Sequence, residues 1–238
     1  MKNKWNYIKA IALIVLVIVL YSFAKNRNIA RNVETVSIDF TNGDNLYITE
    51  TAVNKLLIQK NGKLENLPKD TLDLSRLEKT LVNQEMIADA EVYLTVDGVL
   101  GVVVTQRKPI ARVFSATPFY IDSDGKAMPL STYHSARVPI LVGIGKKQLG
   151  RVFPLLKKIE NDPFLKHHVV AIRRLAENNY ELELRKLDFN VFFGKIESLD
   201  QKINNFKAFY KKAKEEEKLK AYKNVSLQFE NQVVCTKK

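Results

Sequence analysis

Cysteine is nearly absent from this chain of 238 residues: Cys235 is the only one. No intramolecular disulfide can form, so stability has to come from packing. Histidine is almost as scarce, with three copies. Two of them, His167 and His168, are adjacent and badly placed to offer both rings to one metal from a strand, and His134 has no partner at ligand spacing. There is no G-x-S-x-G elbow and no H-E-x-x-H pair. The stretch GIGKKQLG at 143–150 lacks the spacing that places a hydroxyl on magnesium and reads as a glycine turn. Asp122, Asp124 and Gly125 begin like a calcium loop, but Lys126 stands at the fifth position, Tyr133 at the twelfth, and the glycine comes too early. A hairpin turn is expected there instead. These shortages predict a binding module with no catalytic residue, no metal and no cofactor.

Long apolar runs are also missing, with one exception. Ala10 to Ala24, AIALIVLVIVLYSFA, is uncharged and follows the basic segment MKNKWNYIK. With Ile8, Trp5 and Tyr7 it approaches the roughly 20 residues a spanning helix needs. A cleaved signal peptide is the rival reading, because Ser22 and Ala24 have the spacing a signal peptidase reads. The length of the run, the interfacial Tyr21 and Phe23, and Lys9 placed to snorkel favour a retained anchor. Lys2, Lys4 and Lys9 on one side are balanced by Lys25, Arg27 and Arg31 on the other, so charge does not set the orientation.

The net charge of +12 would suggest nucleic acid if it covered one folded face. It does not. Residues 1–35 carry six basic and one acidic side chain, and residues 195–238 carry eleven and six, which leaves the middle nearly neutral. The run KKAKEEEKLK at 211–220 reads as a solvated helix, and no nucleic-acid partner is expected.

The fold class expected is α+β. Residues 1–9 form a tail, 10–24 an anchor, 25–32 a linker, 33–108 and 109–234 two domains, and 235–238 a tail. From Val33 to Gln106 the pattern is strand, helix, helix, strand, strand. Val36, Ile38 and Phe40 alternate, and Thr49 can cap a helix bearing Val53, Leu56 and Leu57 that stops at Asn61-Gly62. Asp73 or Ser75 opens the next helix, Ser75 forming a capping box with Glu78. Asp97-Gly98 predicts a type I′ turn, and Val99 to Val104 a strand covered on both faces. Pro109 and Pro118 mark a joint. Strand signals follow at 119–122, 126–128, 138–142, 169–172, 180–184, 191–193 and 225–234. Helices are expected over 151–161, stopped before Pro163, and through Leu199, Ile203, Phe206 and Tyr210.

In that order the segments resemble the bacterial cell-division family FtsQ/DivIB. A short basic tail and single anchor precede a βααββ unit like a POTRA domain. Arg107-Lys108-Pro109-Ile110-Ala111 is similar to the family's R-x-P-x-A segment, and Tyr120-Ile121-Asp122-Ser123-Asp124-Gly125-Lys126 to its ID-x-x-G hairpin. Val138-Pro139-Ile140-Leu141-Val142-Gly143 is similar to the LP-x-L-x-G strand, and Phe193-Gly194-Lys195 with Leu199 and Lys202 to the entry into the last helix. The resemblance implies a non-catalytic, bitopic divisome scaffold with a cytoplasmic N-terminus and a POTRA domain next to the membrane. A β-rich domain beyond it would dock FtsB-like and FtsL-like partners at the septum. A POTRA-bearing envelope assembly or secretion component is the alternative. It is disfavoured because about 130 residues with a long charged helix cannot supply eight membrane-crossing strands.

The candidate docking residues lie in VSLQFENQVV. Val225, Leu227 and Phe229 are expected to face the core. Ser226, Gln228, Glu230, Asn231, Gln232, Val233 and Val234 would then form an edge strand that accepts a partner strand, with Lys237 and Lys238 attracting acidic groups.

Overall fold

The computed structural model describes the backbone of every residue except Met1, Ala30, Arg31, Asp44, Lys63, Asn66, Glu230 and Asn231. The chain divides between Gln106 and Arg107 into two compact units. The first begins with helix α1, Lys2–Ile29, whose segment Tyr7–Lys25 is long and apolar enough to cross a membrane and is not buried. The helix thus continues past both ends of the run expected as an anchor and through most of the expected linker.

The βααββ pattern is present as β1 (Thr35–Phe40), α2 (Glu50–Asn61), α3 (Leu74–Val82), β2 (Ile87–Leu94) and β3 (Val99–Gln106). The strand order is β1-β3-β2, with β1 parallel and β2 antiparallel to β3. Because β3 is central, Leu100, Val102 and Val104 are fully buried, against Val53, Leu57, Leu77 and Leu81 from the helices. Its opposite face is covered only in part, since Val99 and Val103 are half-buried.

Local chemistry explains where the helices start. Thr49 caps α2 by accepting from Ala52 N at 3.2 Å. Asp73 caps α3 by accepting from Arg76 N at 2.9 Å, so Ser75 lies within the helix and the expected capping box does not form. Glu78 instead accepts from Val92 N on β2 at 3.0 Å, tying helix to sheet.

The β2–β3 turn also differs from expectation. Gly98 has φ +94°, but Asp97 is not in the left-handed region, as type I′ would require. Gly98 N donates to Thr95 O and Thr95 N to Val99 O, giving a three-residue loop with a glycine bulge.

The second unit is built on one nine-stranded open sheet in the order β12-β11-β10-β9-β8-β7-β4-β5-β6. Its strands are β4 (Pro109–Phe114), β5 (Phe119–Asp122), β6 (Ala127–Met128), β7 (Ile140–Val142), β8 (Val169–Arg174), β9 (Tyr180–Leu184), β10 (Asn190–Gly194), β11 (Tyr222–Ser226) and β12 (Val234–Lys237). Both β4–β7 and β7–β8 are parallel pairs, so the three residues of β7 join two otherwise antiparallel blocks, apart from the parallel pair β10–β11. Helices α4 (Leu149–Asn161), α5 (Pro163–His168) and α6 (Leu199–Glu215) bring Val152, Leu155, Leu156, Leu165, Ile203 and Phe206 into one core with the sheet.

Pro109 and Pro118 do not mark the joint. Pro109 opens β4, Pro118 precedes β5, and the boundary expected after residue 108 lies two residues earlier. Pro163 does end the run begun by α4, but it also stands at the first turn of α5, which Asp162 caps through Phe164 N and Leu165 N.

Candidate functional site: the β11–β12 edge

The segment that leads to the sheet edge starts at Gly194. This residue has φ +72°, which a side chain would strain, and it ends β10 beside Gln228. Lys202, one turn into α6, donates to Phe193 O at 3.1 Å and Lys195 O at 2.7 Å, and its ammonium lies 5.1 Å from the Phe193 ring centroid. Burial pushes the Lys202 pKa below its ordinary value, with Glu197 acting in the opposite direction. Helix α6 then packs Ile203, Phe206 and Ala213 inward and ends at Glu215, short of the run expected to remain helical to residue 220. Lys218 N donates to Ala213 O at the reversal, and a short 3-10 turn, Leu219–Ala221, delivers the chain to β11.

Strand β11 lies between β10 and β12, and β12 is the end of the sheet. Val225 pairs with Val191 on one side and Cys235 on the other, all facing the core. The next row, Phe192, Ser226 and Val234, faces away from the core, as do Asn190, Asn224 and Thr236. Leu227 N donates to Phe192 O and Lys238 N to Ala221 O. Strand alternation therefore turns the backbone of Thr236 toward β11 and that of Cys235 and Lys237 outward. Among the described residues β12 pairs with β11 alone.

The single strand expected over 225–234 is thus a hairpin. β11 stops at Ser226, residues 227–233 form the connection, and the edge is Val234–Lys237, which includes most of the expected tail. Of the named residues, Ser226 lies in β11, Gln228 and Gln232 are exposed in the connection, Val233 packs against the core, and Val234 opens β12 at 44% exposure. Glu230 and Asn231 lie outside the described residues. Leu227 is buried as expected. Phe229 is 45% exposed, because the chain has left the sheet before the alternation could turn it inward. Cys235, Thr236 and Lys237 form the edge although sequence reasoning placed it earlier. The polar pair Asn231-Gln232 between two apolar runs was the one available signal.

The other chemical groups have local roles. Nδ1 of His168 donates to Phe164 O at 2.8 Å and its Nε2 meets the Tyr210 hydroxyl at 3.1 Å, inside a cluster of Phe164, Phe206 and Tyr210. Gly145 N donates to Gln148 Oε1 at 3.0 Å, closing the GIGKKQLG loop on itself. Asp122 to Lys126 form the expected hairpin turn, with Gly125 N donating to Asp122 O. Burial raises the Cys235 pKa. Among the described residues no three metal-binding side chains converge.

Two family models match the chain. One, described as FtsQ/DivIB, C-terminal related, covers residues 108–236, and the other, a POTRA-like domain, covers residues 31–105. No curated protein matches it.

Proposed function

Because the chain belongs to the FtsQ/DivIB family, a divisome-type family of bacterial cell division, we propose that it is a single-pass, non-catalytic scaffold that recruits other membrane-anchored division proteins to the septum. Helix α1 crosses the inner membrane with the N-terminus in the cytoplasm, and the POTRA-like part of the first unit and the whole second unit lie outside. The observation that carries this reading is the one-sided pairing of β12. An unpaired strand offers outward N–H and C=O groups to a second chain, and main-chain pairing then supplies affinity while side-chain pockets supply specificity.

The partner strand comes from an FtsB-like protein held with its FtsL-like companion. Val234 is its apolar contact, and Lys237 attracts its acidic side chains. The POTRA-like unit recruits separately. In it, among the described residues, β1 and β2 are each paired on one side, and the groove beside α3 is a further surface.

Two prolines test the edge. Lys237→Pro removes an outward donor that no described strand uses, and Thr236→Pro removes one directed at β11. Lys237→Pro is expected to abolish capture of the FtsB-like partner with the melting temperature unchanged, whereas Thr236→Pro lowers both. Full capture by a folded Lys237→Pro protein would reject the edge as the docking strand.

A further inference from the structure

A cavity of about 330 Å³ opens within the second unit, away from the β12 edge. Its origin is a mismatch of strand starts. Ile140, the first residue of β7, pairs with Arg112 of β4 and Ala171 of β8, but β4 already begins at Pro109 and β8 at Val169. The two outer strands therefore extend past the middle one. Pro139 accepts from Arg112 N at 2.9 Å but has no N–H to return, so the ladder cannot continue into Val138 and Arg137. The result is a notch in the sheet, with Pro109, Ile110, Pro139, Val169 and Val170 lining it and Ile140 at its mouth, 41% exposed.

The rim is strongly cationic. Lys108, Arg137, Lys166 and Arg185 all line the cavity and are exposed, against one carboxylate, Glu160. That carboxylate is already engaged by Lys157 at 3.0 Å and lies 4.0 Å from Lys108. Arg185 spends its Nε on His167 O at 3.2 Å. Among the described residues, the rim therefore carries four cations to one carboxylate around an apolar floor. The notch is centred on β7, five strand steps from β12, roughly 20–25 Å at the usual strand spacing.

We propose that this notch is a second protein-docking site, whose occupant is an extended peptide segment with carboxylates flanking one or two bulky aliphatic side chains. The aliphatic groups fill the space left by the missing β7 residues. The carboxylates meet Arg137 and Lys166, which come from separate segments and so select the spacing of the acids as well as their sign. The site is independent of the β12 edge, and its occupancy does not require the partner that adds a strand there.

The test uses the full chain in nanodiscs of zwitterionic lipid and fluorescein-labelled Glu-Glu-Leu-Ile-Glu-Glu, read by anisotropy. Saturable binding is expected, weakened about tenfold or more by the pair Arg137→Glu and Lys166→Glu. The milder pair Arg137→Gln and Lys166→Gln is expected to act in the same direction with an unchanged thermal melt. Lys237→Pro should leave this binding intact. The proposal is overturned by equal affinity for peptides with Lys in place of Glu or Ser in place of Leu and Ile, by no saturable binding up to ~1 mM, or by binding that both rim variants retain. Binding of anionic phosphatidylglycerol vesicles that the rim variants lose, without binding of the peptide, would assign the notch to lipid headgroups and overturn it equally.

Discussion

The guanidinium of Arg107, the first residue of the second unit, donates to the carboxylate of Asp122 at 3.1 Å. Asp122 is 2% exposed, and its other oxygen accepts from Asp124 N at 3.0 Å and Lys126 N at 2.7 Å. Two short segments resembling family motifs, fifteen residues apart in the chain, are therefore one structure. The arginine anchors the start of the domain to the β5–β6 hairpin, and the aspartate organises that hairpin's turn.

Removing the Asp122 carboxylate takes one acceptor from the half-buried Arg107 guanidinium and the side-chain acceptor from the Asp124 and Lys126 amides. Asp122→Ala is expected to cost about 2–4 kcal/mol. Asp122→Asn, which keeps an acceptor for the turn, should cost about half as much. Denaturant unfolding followed by tryptophan-independent far-UV signal checks both. Equal stability of the alanine variant and the parent would contradict the anchoring role.

Asp162 predicts acid sensitivity. Burial raises its pKa, but this is outweighed by the Lys207 ammonium and by Leu165 N and Phe164 N, so the net direction is down. A carboxylate with a depressed folded pKa adds stability above its ordinary value near 4, and that stability is lost as pH falls through the folded value. Asp162→Asn, still able to cap α5, should match the parent below that range and be less stable at neutral pH. A constant difference across the range would exclude the linkage.

Lys202 predicts a slope of the same sign, but at the alkaline end of the range. Its pKa is lowered by burial, so between the folded value and the ordinary lysine value the unfolded chain binds more protons, and stability contributed by this group rises with pH. Relative to Lys202→Gln, the parent should gain stability as pH climbs into the ordinary lysine range. Melting curves of the pair in matched alkaline buffers would show no such divergence if the ammonium were fully hydrated.

Gly194→Ala isolates backbone strain at the site. A Cβ there would come no closer than 3.7 Å to Gln228, so space is not the obstacle, whereas φ +72° is. The expected loss is about 1 kcal/mol. A much larger loss would mean that the β10 end moves and carries the β11–β12 connection with it.

Retention of α1 is checked by intact mass and N-terminal sequencing of the protein from membranes. A chain beginning at Met1 or its immediate successor is expected, and one beginning at Lys25 would identify a cleaved signal peptide instead.

The first unit was legible because each of its elements announces itself locally: Thr49 and Asp73 as caps, Gly62 and Gly98 as breaks, and apolar residues at the right periods between them. The β11–β12 hairpin was not. Its connection contains neither glycine nor proline, and Phe229 continues the period-two pattern beyond the point where the strand stops. Helix α5 was hidden for a different reason. Pro163 reads as a stop for what precedes it, yet after Asp162 it is equally a start. The notch could not be read from sequence, since it arises from the relative registers of β4, β7 and β8, which only long-range pairing fixes.

The shortness of β7 has a mechanical consequence. Among the described residues, Ile140–Val142 alone link the β4–β5–β6 block of the sheet to the block running from β8 to β12. Within the sheet, tension between the β5–β6 hairpin and the β12 edge crosses this three-residue rivet. Force spectroscopy with handles at Lys126 and Lys237 should record a first rupture at that seam, releasing the chain between the two blocks while each remains folded.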